Sequence, residues 1–210
     1  MNHAHRPYLA FLVSLATLGA APAQAAIKVA CVGEHTTHSR HNTYPNEYPA
    51  KLQAILGATH EVGNFGYPSA IVLRKPHDNF YKTYTMSEEF PKSLAFTPDI
   101  VVIGPFGKHD ARPEKWTFKA EFPADLKFLV EKYTSLPNKP RVFLALPIPY
   151  PFGAPGGVTD EVSTLTKQVA AAAGLPTIDL YRAFLDQKRL FTVDTHLTPC
   201  LLYTSDAADE

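Results

Sequence analysis

The sequence predicts an α/β fold: a three-layer α/β/α sandwich around a five-stranded, mostly parallel sheet. Three observations lead there. Short apolar runs rich in β-branched residues, such as "IKVACVG" and "DIVVIGPF", read as strands buried on both faces. Segments with helical spacing alternate with them, and parallel neighbours need such crossovers. Polar, Gly- and Pro-containing loops come after the strands, where sheets of this kind place their ligands.

Taken in order, "IKVACVG" (27–33) is the first strand and ends on a glycine. "PNEYPAKLQAILG" sets Tyr48, Leu52, Ile55 and Leu56 at helical spacing before Gly57, a helix stop. "HEVGNFGY" is the second strand, and a polar, aromatic loop runs through "RKPHDNFYKTYTM". A short helix around "SEEFPKSLAF" leads to the clearest strand, Asp99 to Phe106. The alternation continues as a helix in "AEFPADLKFLVEKYTSL", a strand in "RVFLALPIP", a helix in "TDEVSTLTKQVAAAAG" and a strand in "LPTIDL". No internal repeat or long linker interrupts it, so a single domain is expected.

The chain has 210 residues, with 20 basic and 20 acidic side chains. A balanced charge excludes a nucleic-acid partner attracted by bulk electrostatics. Residues 1–25 have the form of a secretory signal: Arg6, the apolar "YLAFLVSLATLGAA", and a small-x-small cleavage site at Ala23 to Ala25. The expectation is a secreted or periplasmic protein without stable membrane insertion after cleavage. Residues 26–199 are assigned to the domain. Residues 200–210, "CLLYTSDAADE", resemble a translated sequencing adapter and are read as a non-native tail. Two cysteines, Cys31 and Cys200, imply no disulfide framework.

Over most of the 26–199 segment the chain resembles the SGNH (GDSL-type) hydrolases, in particular their carbohydrate and sialate O-acetylesterase branch. The motifs that carry the resemblance are "KVACVGEHTTH" against a strand followed by G-D-S-I-T, "EVGNFGYPSA" against N-F-G-x-S-G-A, "TPDIVVIGPFGKHD" against P-D-I-V-V-I and G-x-N-D, and "LFTVDTHLTP" against the catalytic D-x-x-H. The resemblance implies the SGNH/flavodoxin-like sandwich and hydrolysis of O-acyl (acetyl) esters on carbohydrate, without a cofactor. It also implies a C-terminal helix after this block, which is expected to be missing here.

Carried over by position, Gly33 and Gly107 match family glycines, Glu34 stands for the family's Asp, and His35 occupies the place of the nucleophilic Ser. Ser69 falls where a glycine amide serves the oxyanion hole, and His109 replaces the Asn that donates beside it. His196 is the base and Asp194 its orienting acid, at Asp-x-His spacing rather than Asp-x-x-His. A ring N–H of His109 can donate as the Asn amide does. An imidazole cannot replace a serine alkoxide without changing the chemistry.

Three uses of such a site stand open. A hydroxyl of Thr36, Thr37, Ser39 or Ser69, or the His35 ring itself, can be the nucleophile. His35, His109 and His196 can hold zinc, whose bound water attacks with Glu34 as base. Or the site is dead and the chain is a non-catalytic carbohydrate-binding module. His38 and His41 are read as solvated loop residues.

Overall fold

A computed structural model describes residues 25–38, 47–75, 81–149 and 158–187. Expectations placed on the signal segment, on His41, Asp194 and His196, and on residues 200–210 lie outside the described residues.

β1 (Ile27–Gly33) is buried from Val29 onward and is central because its apolar run supplies both faces. One helical turn, α1 (His35–His38), comes next, and then α2 (Tyr48–Leu56) and β2 (His60–Gly66). Two short parallel strands, β3 (Ala70–Ile71) and β4 (Lys82–Thr83), form a separate ribbon ahead of α3 (Glu89–Ala95) and β5 (Ile100–Ile103). α4 (Pro113–Trp116), α5 (Phe122–Thr134), β6 (Arg141–Ala145), α6 (Val158–Ala172), β7 (Thr177–Ile178) and α7 (Leu180–Phe184) complete the order. The main sheet runs β2-β1-β5-β6-β7, every pair parallel, and helices flank it.

This order places the reversal of winding between β1 and β5. Loops leaving the carboxyl ends of these two strands part there and open a crevice. Val29 pairs with Ile100 and Val32 with Ile103, so Gly33 and Gly104 emerge at the same level of the sheet.

α5 shows how the pattern becomes core. Phe122, Leu126, Leu129, Val130 and Tyr133 fall on one helical stripe and are all buried. Tyr133 satisfies its hydroxyl with Ser93 at 2.6 Å, and Tyr84 donates to the Phe65 carbonyl at 2.7 Å. Trp116 is only 8% exposed, packs on Phe122 and donates its indole N–H to Glu161 at 2.8 Å.

Three expectations change. Ile55 sits at helical spacing but is 72% exposed, because α2 buries only Pro49 fully. The strand expected over 99–106 stops at Ile103, two residues before Pro105, which has no N–H to give the ladder. β3 and β4 lie partly in a stretch expected to be loop, and two-residue strands are too short for alternation to reveal.

Leu126→Ala is expected to lower stability by about 2–5 kcal/mol in a urea titration, whereas Ile55→Ala stays within about 0.5 kcal/mol. Equal effects would place α5 outside the core.

Candidate active site

Each candidate side chain is positioned by a loop at the carboxyl end of the sheet. After Gly33 the chain closes a single helical turn, with Thr37 and His38 amides both donating to the Glu34 carbonyl at 3.0 Å. A Cβ on Gly33 would meet the Thr37 hydroxyl at 2.1 Å, so the turn can fold against the strand end only because that residue is glycine. Thr37 is fully buried and its hydroxyl donates to the Gly104 carbonyl at 3.4 Å. It locks the β1 loop to the β5 loop, which removes it from the nucleophile candidates. His38, expected in a solvated loop, closes this turn and is half-buried.

The β5 loop carries Gly107, Lys108, His109 and Asp110. Gly107 has φ 124°, and a Cβ there would approach Val162 Cγ1 at 2.6 Å. The conformation and the space both require glycine, so Gly107 shapes the loop that holds His109. The His109 ring lies edge-to-face with that of His35, centroids 6.1 Å apart at 78°, and tilted against Tyr81 at 5.2 Å. Two positions 74 residues apart in sequence therefore meet above the winding reversal.

The third loop is the turn that holds Ser69. The Tyr67 amide donates to the Gly33 carbonyl at 2.9 Å, fixing this turn beside the end of β1. Ser69 is 6% exposed and adopts φ 61°, the left-handed conformation natural to the glycine that the family resemblance puts there.

Two buried carboxylates underlie these loops. Asp110 is fully buried, and its Oδ1 accepts the amides of Val72 and Leu73, each at 2.9 Å, which pins the segment after Ser69. Burial pushes its carboxyl up to about 7, against the pull of those amides, and Asp125 adds to the rise. Glu34 is 0% exposed. The amides of His109 and Lys108 face its carboxylate outside ordinary hydrogen-bond geometry. Burial first, and then the nearby Asp110, raise its pKa well above the usual carboxylate range; the Lys108 ammonium and the two amides oppose this. Glu34 is therefore sealed from water beside the loop that carries His109, with its carboxyl biased toward the protonated form, and is not a solvent-facing group.

The structure brings together Gly33, Glu34, His35, Gly107 and His109, with the Ser69 turn tied beside them. His196 and Asp194 lie outside the described residues, as does Ser39. For a shared zinc, Zn–N bonds of about 2.0–2.1 Å hold two imidazole centroids about 5–6 Å apart. His35 and His109 come close to this, yet among the described residues no group of three or more His, Cys, Asp or Glu side chains could hold a metal. Sequence reasoning missed the roles of Asp110 and Tyr81. Asp110 was visible as the last residue of "GKHD", but its amide partners are 37 and 38 residues away. Tyr81 lay in a stretch without periodicity.

Fold and crevice define a flavodoxin-like parallel α/β domain with its site at the winding reversal. Among solved structures the fold is shared with a lipase/acylhydrolase from Enterococcus faecalis, at TM-score 0.63 and 22% identity over 84% of this chain and 90% of that one. It is shared also with Est24, a carbohydrate acetylesterase from Sinorhizobium meliloti, at TM-score 0.58 and 21% identity over 72% and 83%. In sequence the chain is similar to an acetylxylan esterase of Xylanibacter ruminicola, 32% identical over 190 residues, which cover 79% of this chain and 38% of the relative. The chain thus spans less than half the length of the curated relative it matches. No protein-family model matches the chain.

Two measurements check this description. Ser69→Gly relieves a left-handed side-chain residue and is expected to raise stability by about 1 kcal/mol, read as a higher urea midpoint; a loss would mean that the Ser69 side chain contributes more than its backbone strain costs. The second is pH. A free Asp ionises near 3.9, so between about pH 4 and 7 the folded state keeps a proton on Asp110 that the unfolded chain has released. Stabilisation present below pH 4 is therefore lost as pH rises through 7, by on the order of 4 kcal/mol, and Glu34 acts in the same direction. In Asp110→Asn one oxygen still accepts both amides and this decline flattens. Urea midpoints that rise from pH 4 to 8 in the parent chain would contradict the assignment.

Proposed function

We propose that the chain belongs to the SGNH hydrolases and cleaves acetyl esters on carbohydrate, with His35 in the place of the family's serine. The observation that carries this reading is the His35–His109 contact at the winding reversal, beside the left-handed Ser69 turn. The relatives supply the substrate class: the sequence relative is an acetylxylan esterase, and one fold relative is a carbohydrate acetylesterase.

In this reading a ring nitrogen of His35 attacks the acyl carbon. In this reading the carbonyl oxygen takes the negative charge and is held by the Ser69 amide and a ring N–H of His109. His196, oriented by Asp194, takes the proton released by the acylated imidazole and returns it to the departing sugar oxygen. Water then hydrolyses the acyl-imidazole with His196 as base, giving acetate and restoring His35. Glu34, sealed from water beside the β5 loop, has its carboxyl biased toward the neutral form. The reading includes export by residues 1–25 and a domain over 26–199.

The test is hydrolysis of 4-nitrophenyl acetate and acetylated xylo-oligosaccharides by the chain, by His35→Ala and by His35→Ser. The expected outcome is activity in the parent that falls at least about 100-fold in His35→Ala. A parent without turnover whose His35→Ser variant gains it would make the chain a binding module with a lost nucleophile. Activity removed by a chelator and returned by zinc would replace the imidazole attack with attack by metal-bound water.

A further inference from the structure

The proposed chemistry asks one thing of His109 that its backbone does not supply. A ring N–H points wherever χ1 and χ2 send it, so a donor that must meet developing charge needs its ring held from outside. His109 is 8% exposed, and the rings of His35 and Tyr81 lie against it, that of Tyr81 at 5.2 Å between centroids and 45° between planes. His35 is a reacting group in that chemistry, so of these two the supporting ring is that of Tyr81.

Tyr81 is itself buried, and it leads into β4 as Ser69 leads into β3; the two strands pair through Ala70–Lys82 and Ile71–Thr83. A two-stranded ribbon this short is not stable by itself, so other contacts hold it. The buried Thr83 hydroxyl donates to the Leu73 carbonyl at 2.8 Å, and the Leu73 amide donates to Asp110 Oδ1 at 2.9 Å. Asp110 is the residue after His109. The contacts therefore close a circuit. It runs from His109 to Asp110 along the chain, to Leu73 and Thr83 through hydrogen bonds, to Tyr81 along β4, and back to His109 through the rings. No member of a closed circuit moves alone.

The Tyr81 ring is held from α4 as well. The Arg112 guanidinium lies 4.9 Å and the Lys115 ammonium 5.0 Å from its centroid, and Lys115 is buried. An aromatic ring attracts cations through its quadrupole, more strongly away from water. Ordering a donor only when substrate arrives costs rotamer entropy at that moment, whereas a ring packed in the folded protein has met that cost already.

We propose that Tyr81 is a positioning residue whose ring holds the His109 imidazole in the orientation that aims a ring N–H at the developing oxyanion. This rests on the esterase reading above. Tyr81 acts through His109 and takes up no proton or bond of its own.

The experiment is a double-mutant cycle on 4-nitrophenyl acetate with Tyr81→Leu, His109→Ala and the two combined, beside Tyr81→Phe, at a temperature where urea midpoints show each to be folded. Tyr81→Leu is expected to lower kcat about tenfold and to change KM by less than about twofold, because oxyanion stabilisation is realised in the transition state. Tyr81→Phe keeps the ring and restores the rate to within about twofold of the parent. In the His109→Ala background Tyr81→Leu costs nothing further, whereas a merely structural role costs the same factor in both backgrounds. No loss in Tyr81→Leu, equal losses in both backgrounds, or a Tyr81→Phe variant as slow as Tyr81→Leu overturns the proposal. Should Tyr81→Leu not fold, Tyr81→Met, whose flexible side chain fills irregular gaps, takes its place in the cycle. If no ester is cleaved, the χ1 rotamer of His109 decides separately, read by NMR from the three-bond couplings of Cγ to the backbone nitrogen and to the carbonyl carbon. A single rotamer in the parent and in Tyr81→Phe that becomes averaged in Tyr81→Leu sustains the positioning role while the esterase reading fails; any other pattern overturns it.

Discussion

The parallel pairing of β1 with β5 is the contact on which the rest of this structure depends. It joins two strands that are far apart in sequence and sets their ends level, so that the loop leaving one strand faces the loop leaving the other. Because the sheet winds in opposite directions from this pair, no crossover covers their carboxyl ends, and the crevice stays open. The Gly104 amide on the Val32 carbonyl at 2.7 Å and the Thr37 hydroxyl on the Gly104 carbonyl extend the pairing past the last ladder bond. The nearness of His35 and His109 is a consequence of that register, not of any attraction between two imidazoles.

Below the crevice the protein accepts an electrostatic cost. Two carboxyl groups, Glu34 and Asp110, are taken out of water near each other, and both respond by holding protons more tightly than free acids do. Asp110 offsets its burial by accepting the amides of Val72 and Leu73, which no strand partner satisfies there. Polar burial of this kind gives loops a definite position that apolar packing alone does not. The segment after the Ser69 turn inherits its position from those bonds.

The fold was largely legible in the residues. The buried run of β1, the stripe Phe122, Leu126, Leu129, Val130 and Tyr133, and the alternation of strands with helices each derive from periodicity, which is a local property. Ends and short elements were less legible. β5 stops earlier than its apolar run because Pro105 has no N–H for the ladder, β3 and β4 are too brief to show a period, and Ile55 keeps the spacing of a core residue while facing solvent. The candidate site was legible only through the family motifs, since nothing in "CVGEHTTH" or "GKHD" alone says that the two segments meet.

The sequence by itself determined where strands and helices form, which faces are apolar, and which unusual residues stand at the ends of strands: Glu34 and His35 after β1, Ser69 after β2, His109 after β5. These are statements about neighbours along the chain, and spacing encodes them. Tertiary structure alone decided that the two imidazoles touch, that Glu34 is sealed from water, that Thr37 is a lock, and that Arg74 and Lys132 share the Phe128 ring. Distance between residues far apart in sequence is set by strand order and register, and burial depends on what the rest of the chain lays over a residue; neither quantity exists until the sheet has closed.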